Sequence, residues 1–161
     1  MRNLRFGYTK HWMVYLGAVV ILLVSGCTAT VEMASQEEDS AAKLFDPSQE
    51  EANLYVTRKD QFTGSAVLFQ IAVDGRLEGG LAPGTYRVIS VAPGRHVISV
   101  TTAENQSTQT VDAAAGECYF FEVKPKMGMV AARAEVVAMT RSEGQQAVAE
   151  NSLAMAFSYD R

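Results

Sequence analysis

At 161 residues the chain has room for one domain with short accessory segments, and its 48% apolar content suits a packed core rather than a disordered chain. It carries 14 bases against 18 acids, net −4, and three of the bases (Arg2, Arg5, Lys10) precede the first acid, Glu32. Losing residues 1–26 removes those three and leaves 11 bases against 18 acids, net −7, a poor candidate for a nucleic-acid partner, which needs clustered Lys and Arg to displace counterions.

The first predicted element is the apolar run Met13–Ser25, thirteen residues long and preceded by the three bases. A bilayer-spanning helix needs roughly 20 apolar residues and a secretory signal core about 7–15, so the run reads as an export signal over residues 1–26. It ends on Ser25 and Gly26, with Cys27 immediately after. The stretch Leu23-Val24-Ser25-Gly26-Cys27 resembles the lipobox of bacterial lipoproteins. That resemblance implies a diacylglyceryl thioether on the Cys27 sulfur, cleavage between Gly26 and Cys27, and acylation of the new amino terminus. A thiolate is the side-chain nucleophile suited to such an alkyl transfer. One acyl chain binds a membrane with K on the order of 10⁴ M⁻¹, so stable anchoring takes two or more. Thr28 lacks the aspartate that resembles an inner-membrane retention signal, which points to the outer membrane, facing the periplasm.

Residues 27–50 are small, polar and acidic, with the run Glu37-Glu38-Asp39, and read as a self-repelling tether with a short helical turn at 41–45. From Ala52 the texture changes to short β-prone runs between turn residues. Strands are predicted over 52–58, 65–73, 85–91, 95–100, 107–113, 117–123 and 129–139. In the second, Val67, Phe69, Ile71 and Val73 share a face, and Asp74-Gly75 follows as a two-residue hairpin signal. "APGTYRVISV" and "APGRHVISV" look like a repeat, but they differ by one residue in register, which places matching side chains on opposite faces, so they read as two adjacent strands with similar turns. A terminal helix is predicted from the capping pattern Ser142 with Gln145, with Ala147, Val148 and Ala154 toward the sheet. About seven strands at this spacing give a small antiparallel β-sandwich over 51–156 with a short C-terminal helix, and 157–161 as a tail.

The order "LYVTR", "VDGRLEGGLAPGTY", "APGRHVISV", "GECYFFEVK" and "AARAEVVAM" resembles a domain-of-unknown-function family of small bacterial lipoproteins and related envelope proteins, over about residues 44–153. The family's sandwich is similar to carbohydrate-surface modules with a Pro-Gly-x-His turn. Cys118 departs from the Thr-Tyr-Tyr pattern expected there, a difference that touches packing. The resemblance implies a fold and an envelope location but no mechanism.

Candidate chemistry is sparse. His96, on the predicted face of Ile98 and Val100, reads as a core-edge histidine bonded to loop backbone. A zinc site would need three or four Cys or His ligands, so no metal and no cofactor are expected. No G-x-S-x-G or G-x-x-x-x-G-K-[ST] pattern occurs, and "GGLAPG" lacks a strand-to-helix context. Glu117 and Glu122 fall on opposite faces of one strand, which argues against a glycosidase pair with Glu135. Cys118 reads as a buried free thiol, and Asn105-Gln106-Ser107 as a chance glycosylation match. The loop "KPKMGM" is the candidate interaction site, with Pro125 and Gly128 turning the chain to present Lys124, Lys126, Met127 and Met129; the competing reading is a solvated hairpin loop with one methionine tucked into the core. The expectation is therefore a non-enzymatic binding or structural module. It is held to the membrane by the N-terminal lipid and contacts another envelope protein or the cell wall. The alternative is an envelope hydrolase or transferase with a site near His96.

Overall fold

The structure, a computed structural model, describes residues 29–155. The expected export signal over 1–26, the expected lipidation and cleavage at Cys27, Thr28 and the expected tail 157–161 lie outside them. Two sheets face each other. The first has five strands in the order β8-β7-β1-β4-β9 and the second four in the order β3-β2-β5-β6. The strands are β1 (Ala52–Arg58), β2 (Phe69–Val73), β3 (Arg76–Leu81), β4 (Thr85–Val91), β5 (Gly94–Thr101), β6 (Gln106–Ala113), β7 (Cys118–Lys126), β8 (Arg133–Met139) and β9 (Ser152–Leu153); two helices, α1 (Gln36–Ala42) and α2 (Arg141–Ala149), complete the fold.

Side-chain alternation sorts β1 between two cores. Leu54 and Val56 enter the core between the sheets with Phe69, Ile71, Ile98, Val100, Phe121 and Val123, while Tyr55 enters a second, aromatic core on the outer face of the five-stranded sheet. There Tyr55 stacks on Phe120 (5.1 Å) and Tyr86 (6.3 Å). The helices cover this face, Val148 of α2 and Ala42 of α1 both packing against the cluster. The fold is thus three layers: helices, five-stranded sheet, four-stranded sheet. Between β6 and β8 the sandwich is stitched by Asn105, whose side-chain amide bonds both backbone groups of Ala134, and by Ser107 accepting from the Val136 amide.

Four local features differ from the expectation. β1 runs parallel to β7, and β9 parallel to β4, so the sandwich is not wholly antiparallel. β3 was not foreseen; it pairs with β2 across the Asp74-Gly75 turn, whose φ values of 52° and 81° are the left-handed pair that hairpin requires. β4 and β5, the two runs with similar turns, lie in different sheets. The cap of α2 is Thr140 with Glu143, two residues before the Ser142–Gln145 pattern. Gly144 sits where a Cβ would overlap the Phe120 ring, so this glycine allows α2 to approach the sheet.

The acidic segment expected as a tether contains a docked element. Ser35 and Glu38 form a capping box at the start of α1. Asp39 accepts from Tyr86 Oη (2.9 Å), the Leu153 amide (2.8 Å) and Lys43 Nζ (2.7 Å). Partial burial opposes ionisation of Asp39, but the bonds from Lys43, Tyr86 and Leu153 outweigh it and hold the carboxyl below its ordinary value. Just past α1, Phe45 adopts φ 55° and turns its ring against Tyr55 (5.3 Å) and Phe120 (5.7 Å). Self-repulsion therefore loses to a cap, an anchoring carboxylate and an aromatic plug. Phe45→Ala should lower stability by about 2 kcal/mol, less than a fully buried ring would cost. A urea midpoint indistinguishable from the parent would show that the segment is a free tether.

Candidate functional site

The parallel pairing of β1 with β7 decides where the candidate loop lies. Parallel strands finish at the same end, so the loop after β1 (59–68) and the loop after β7 (127–132) meet there. They line one hollow of about 350 Å³ that includes Phe62, Met127, Met129 and Val130. These four side chains are 95%, 89%, 98% and 94% exposed, an unusual concentration for large apolar groups.

The expected loop is corrected in two respects. Lys124 and Lys126 belong to β7, which continues through Pro125, and they pair with Glu122 (3.6 Å) and Glu135 (3.0 Å) rather than crown the tip. Neither methionine is tucked inward. The tip is apolar, and Phe62 and Val130, which the sequence reading omitted, are part of it. Both loops are held in shape. The Glu104 carboxylate accepts from the amides of Met129 (3.0 Å), Val130 and Ala131, and these bonds, Ala131 and Val130 foremost, keep it below its ordinary pKa. The other loop is held by Arg58, a fully buried arginine whose Nη1 donates to the carbonyls of Val67 (2.7 Å) and Leu81 (3.0 Å) and whose Nη2 donates to that of Gly64 (2.7 Å). The guanidinium lies over the Phe69 ring at 4.2 Å, and burial draws its pKa down to about 10. The amino-terminal chain joins the fold at this loop, where the Ala29 amide donates to the Ser65 carbonyl (2.8 Å).

His96 stands at the opposite end, where β5 begins. Its Nδ1 lies 2.6 Å from Asp74 Oδ2 and its Nε2 2.7 Å from the Ala92 carbonyl. Both partners accept, so the ring satisfies both only as an imidazolium with each nitrogen donating. The Asp74 carboxylate bonds the Val97 amide as well (2.8 Å), locking the β2–β3 turn to β5. Neither ring nitrogen is left to take a proton from a substrate.

The remaining candidates separate. Glu117 pairs with Arg141 (3.6 Å), Glu122 with Lys59 (3.5 Å) and Lys124, and Glu135 with Lys126. Glu122 and its partners Lys59 and Lys124 flank a cleft of about 330 Å³ beside α2 that Glu143 and Glu150 also line. Cys118 is buried, its thiol 3.5 Å from the Phe45 carbonyl, and burial raises its pKa. Among the described residues no three His, Cys, Asp or Glu side chains are grouped for a metal, and no helix is long and apolar enough to cross a membrane.

A family model described as a protein of unknown function (DUF2846) matches residues 48–136, which run from just before β1 into β8. A protein of Haemophilus influenzae described as an uncharacterized protein is 31% identical over 137 residues, 84% of this chain and 80% of its own length.

The His96–Asp74 latch has a defined pH window. The Asp74 bond is the largest effect and raises the ring above its ordinary 6.5; burial opposes it, and the Ala92 carbonyl and the Asp74 charge add to the rise. Its contribution is therefore complete below pH 6.5 and is lost as pH rises through the folded value. The Val97 amide, then His96, lowers Asp74 below 3.8, so its contribution is lost only as pH falls through that depressed value. The stability difference between the parent and His96→Ala should be largest between these limits and shrink above them. A ring resonance of His96 titrating at or below 6.5 would contradict the assignment.

Proposed function

The chain belongs to the DUF2846 family, and on that premise we propose that it is a lipid-anchored protein of the bacterial cell envelope, a non-enzymatic module that binds another envelope component. The observation that carries this reading is the amino-terminal pattern: bases, a thirteen-residue apolar run, and Ser25-Gly26 immediately before Cys27. Acylation of Cys27 would fix the protein to a membrane, and Thr28 favours the outer membrane, facing the periplasm.

The binding role is supported by how the surfaces are used. Helices cover the outer face of the five-stranded sheet. The outer face of the four-stranded sheet has no such cover among the described residues and presents the hydroxyls and amides of Gln70, Thr101, Gln106, Thr108 and Thr110, beside Val97 and the Arg95–Asp112 ion pair. Such a face offers hydrogen bonds to a protein or a cell-wall glycan without a large electrostatic field. The alternative, a hydrolase or transferase at His96, gains nothing from a ring whose two nitrogens are both engaged.

In cells, Cys27→Ala should abolish incorporation of labelled palmitate and leave the uncleaved precursor. Crosslinking of a tagged form should capture a discrete envelope species that the variant loses. Normal processing and unchanged labelling of the variant would overturn the lipid-anchor reading.

A further inference from the structure

We propose that the apolar tip formed by Phe62, Met127, Met129 and Val130 is a membrane-contact site that seats the domain end-on in the bilayer holding its own lipid anchor. The proposal rests on the lipid-anchor reading above and adds a surface and an orientation to it.

Three observations converge. The first is the tip itself: four large apolar side chains, each at least 89% exposed, on two loops that parallel strands bring together. The second is that the loops are built to hold this shape. Glu104 gathers three successive amides beneath Met129 and Val130, and Arg58 fixes Gly64 and Val67 on the other side. Gly128 has no room for a Cβ against the Ala131 carbonyl, so the turn is tight as well as bonded. Exposure here is presentation by a formed turn.

The third observation selects the occupant. The chain enters the fold at Ala29, bonded to Ser65, three residues from Phe62 in the same loop. Only Thr28 lies between Cys27 and Ala29, two residue steps that reach at most about 7 Å. Acyl chains on Cys27 would therefore enter the bilayer beside this tip, and no free linker remains to lift the domain away. The tether expected over 27–50 would have allowed any orientation; a chain bonded from Ala29 onward does not. The chemistry of the tip suits the boundary between headgroups and acyl chains, where Phe, Met and Val side chains leave water. A protein covering the tip instead is an outcome the test separates.

The test uses the mature, acylated protein in phosphatidylethanolamine–phosphatidylglycerol vesicles, with Cys118→Ala and an environment-sensitive fluorophore on Met129→Cys or, at the far end, on Asp112→Cys. Emission at 129 should shift to the blue and be lost to spin-labelled lipid, while emission at 112 should be lost to aqueous iodide. Phe62→Ser with Val130→Ser should return a label on Met127→Cys to iodide while the protein still floats with vesicles. A floating protein whose 129 label iodide quenches as readily as 112 would overturn the proposal and leave the anchor intact. Shielding of 129 from both quenchers would also overturn it, in favour of a protein cover. Failure to float, with no acyl mass on Cys27, would instead overturn the reading beneath it.

Discussion

Arg58 closes one end of the sandwich, and what that end can do depends on it. It is the last residue of β1, on the same face as Leu54 and Val56, so its side chain enters the space between the sheets. Among the described residues no carboxylate meets it. Three carbonyls from the 59–68 loop and β3 do, together with the face of Phe69. Burying a cation costs several kcal/mol. Three charge-assisted hydrogen bonds at about 1.5–3 kcal/mol each, with a cation–π contact of about 2, roughly offset that. The gain is positional: a planar fork can gather carbonyls from two segments that no ladder pairs, whereas an apolar residue would orphan them. Its Nε finds no partner among the described residues.

The two ends of the sandwich are consequently different objects. At the far end, the His96–Asp74 latch locks a hairpin turn to the next strand of its sheet, and its atoms are occupied with each other. At the near end, Arg58 and Glu104 shape two loops whose apolar side chains have nothing to pack against within the described residues. The entry of the chain at Ser65 belongs to this near end. A single polarity follows, with Ala29 and the apolar tip on one side and the latch and its turn on the other.

Much of the fold was legible because strand alternation is a local signal. Val67 aside, the face read from 65–73 is the buried face of β2, and Asp74-Gly75 named its turn by chemistry alone. β3 was hidden because Glu-Gly-Gly opposes strand propensity; Gly80 is needed there since Leu68 occupies the space of its Cβ. The docking of α1 was hidden differently. Its capping box, Ser35 with Glu38, was readable, but the partners of Asp39 include Leu153, 114 positions away. For α2, two overlapping box patterns compete, and the one directly after β8 forms. The candidate loop was found, yet its membership was not, because Phe62 joins Met129 only through the pairing of residues 53–57 with 118–122. Pro125 argued for a turn; it lies beyond the end of that pairing, where β7 has a ladder neighbour on one side and tolerates a proline.

The central claim is that one buried guanidinium fixes the loop that forms the tip, and amide hydrogen exchange in Arg58→Lys tests it most directly. A lysine keeps the charge but has a single nitrogen in place of the planar fork whose Nη1 and Nη2 divide these three carbonyls between them. Amides of residues 62–67, including those of Ser65 and Val67 that bond within the loop, should then exchange much faster, while β5 and β6 keep their protection. Unchanged protection across 62–67 would mean that the loop holds itself, and the account of this end of the molecule would be wrong.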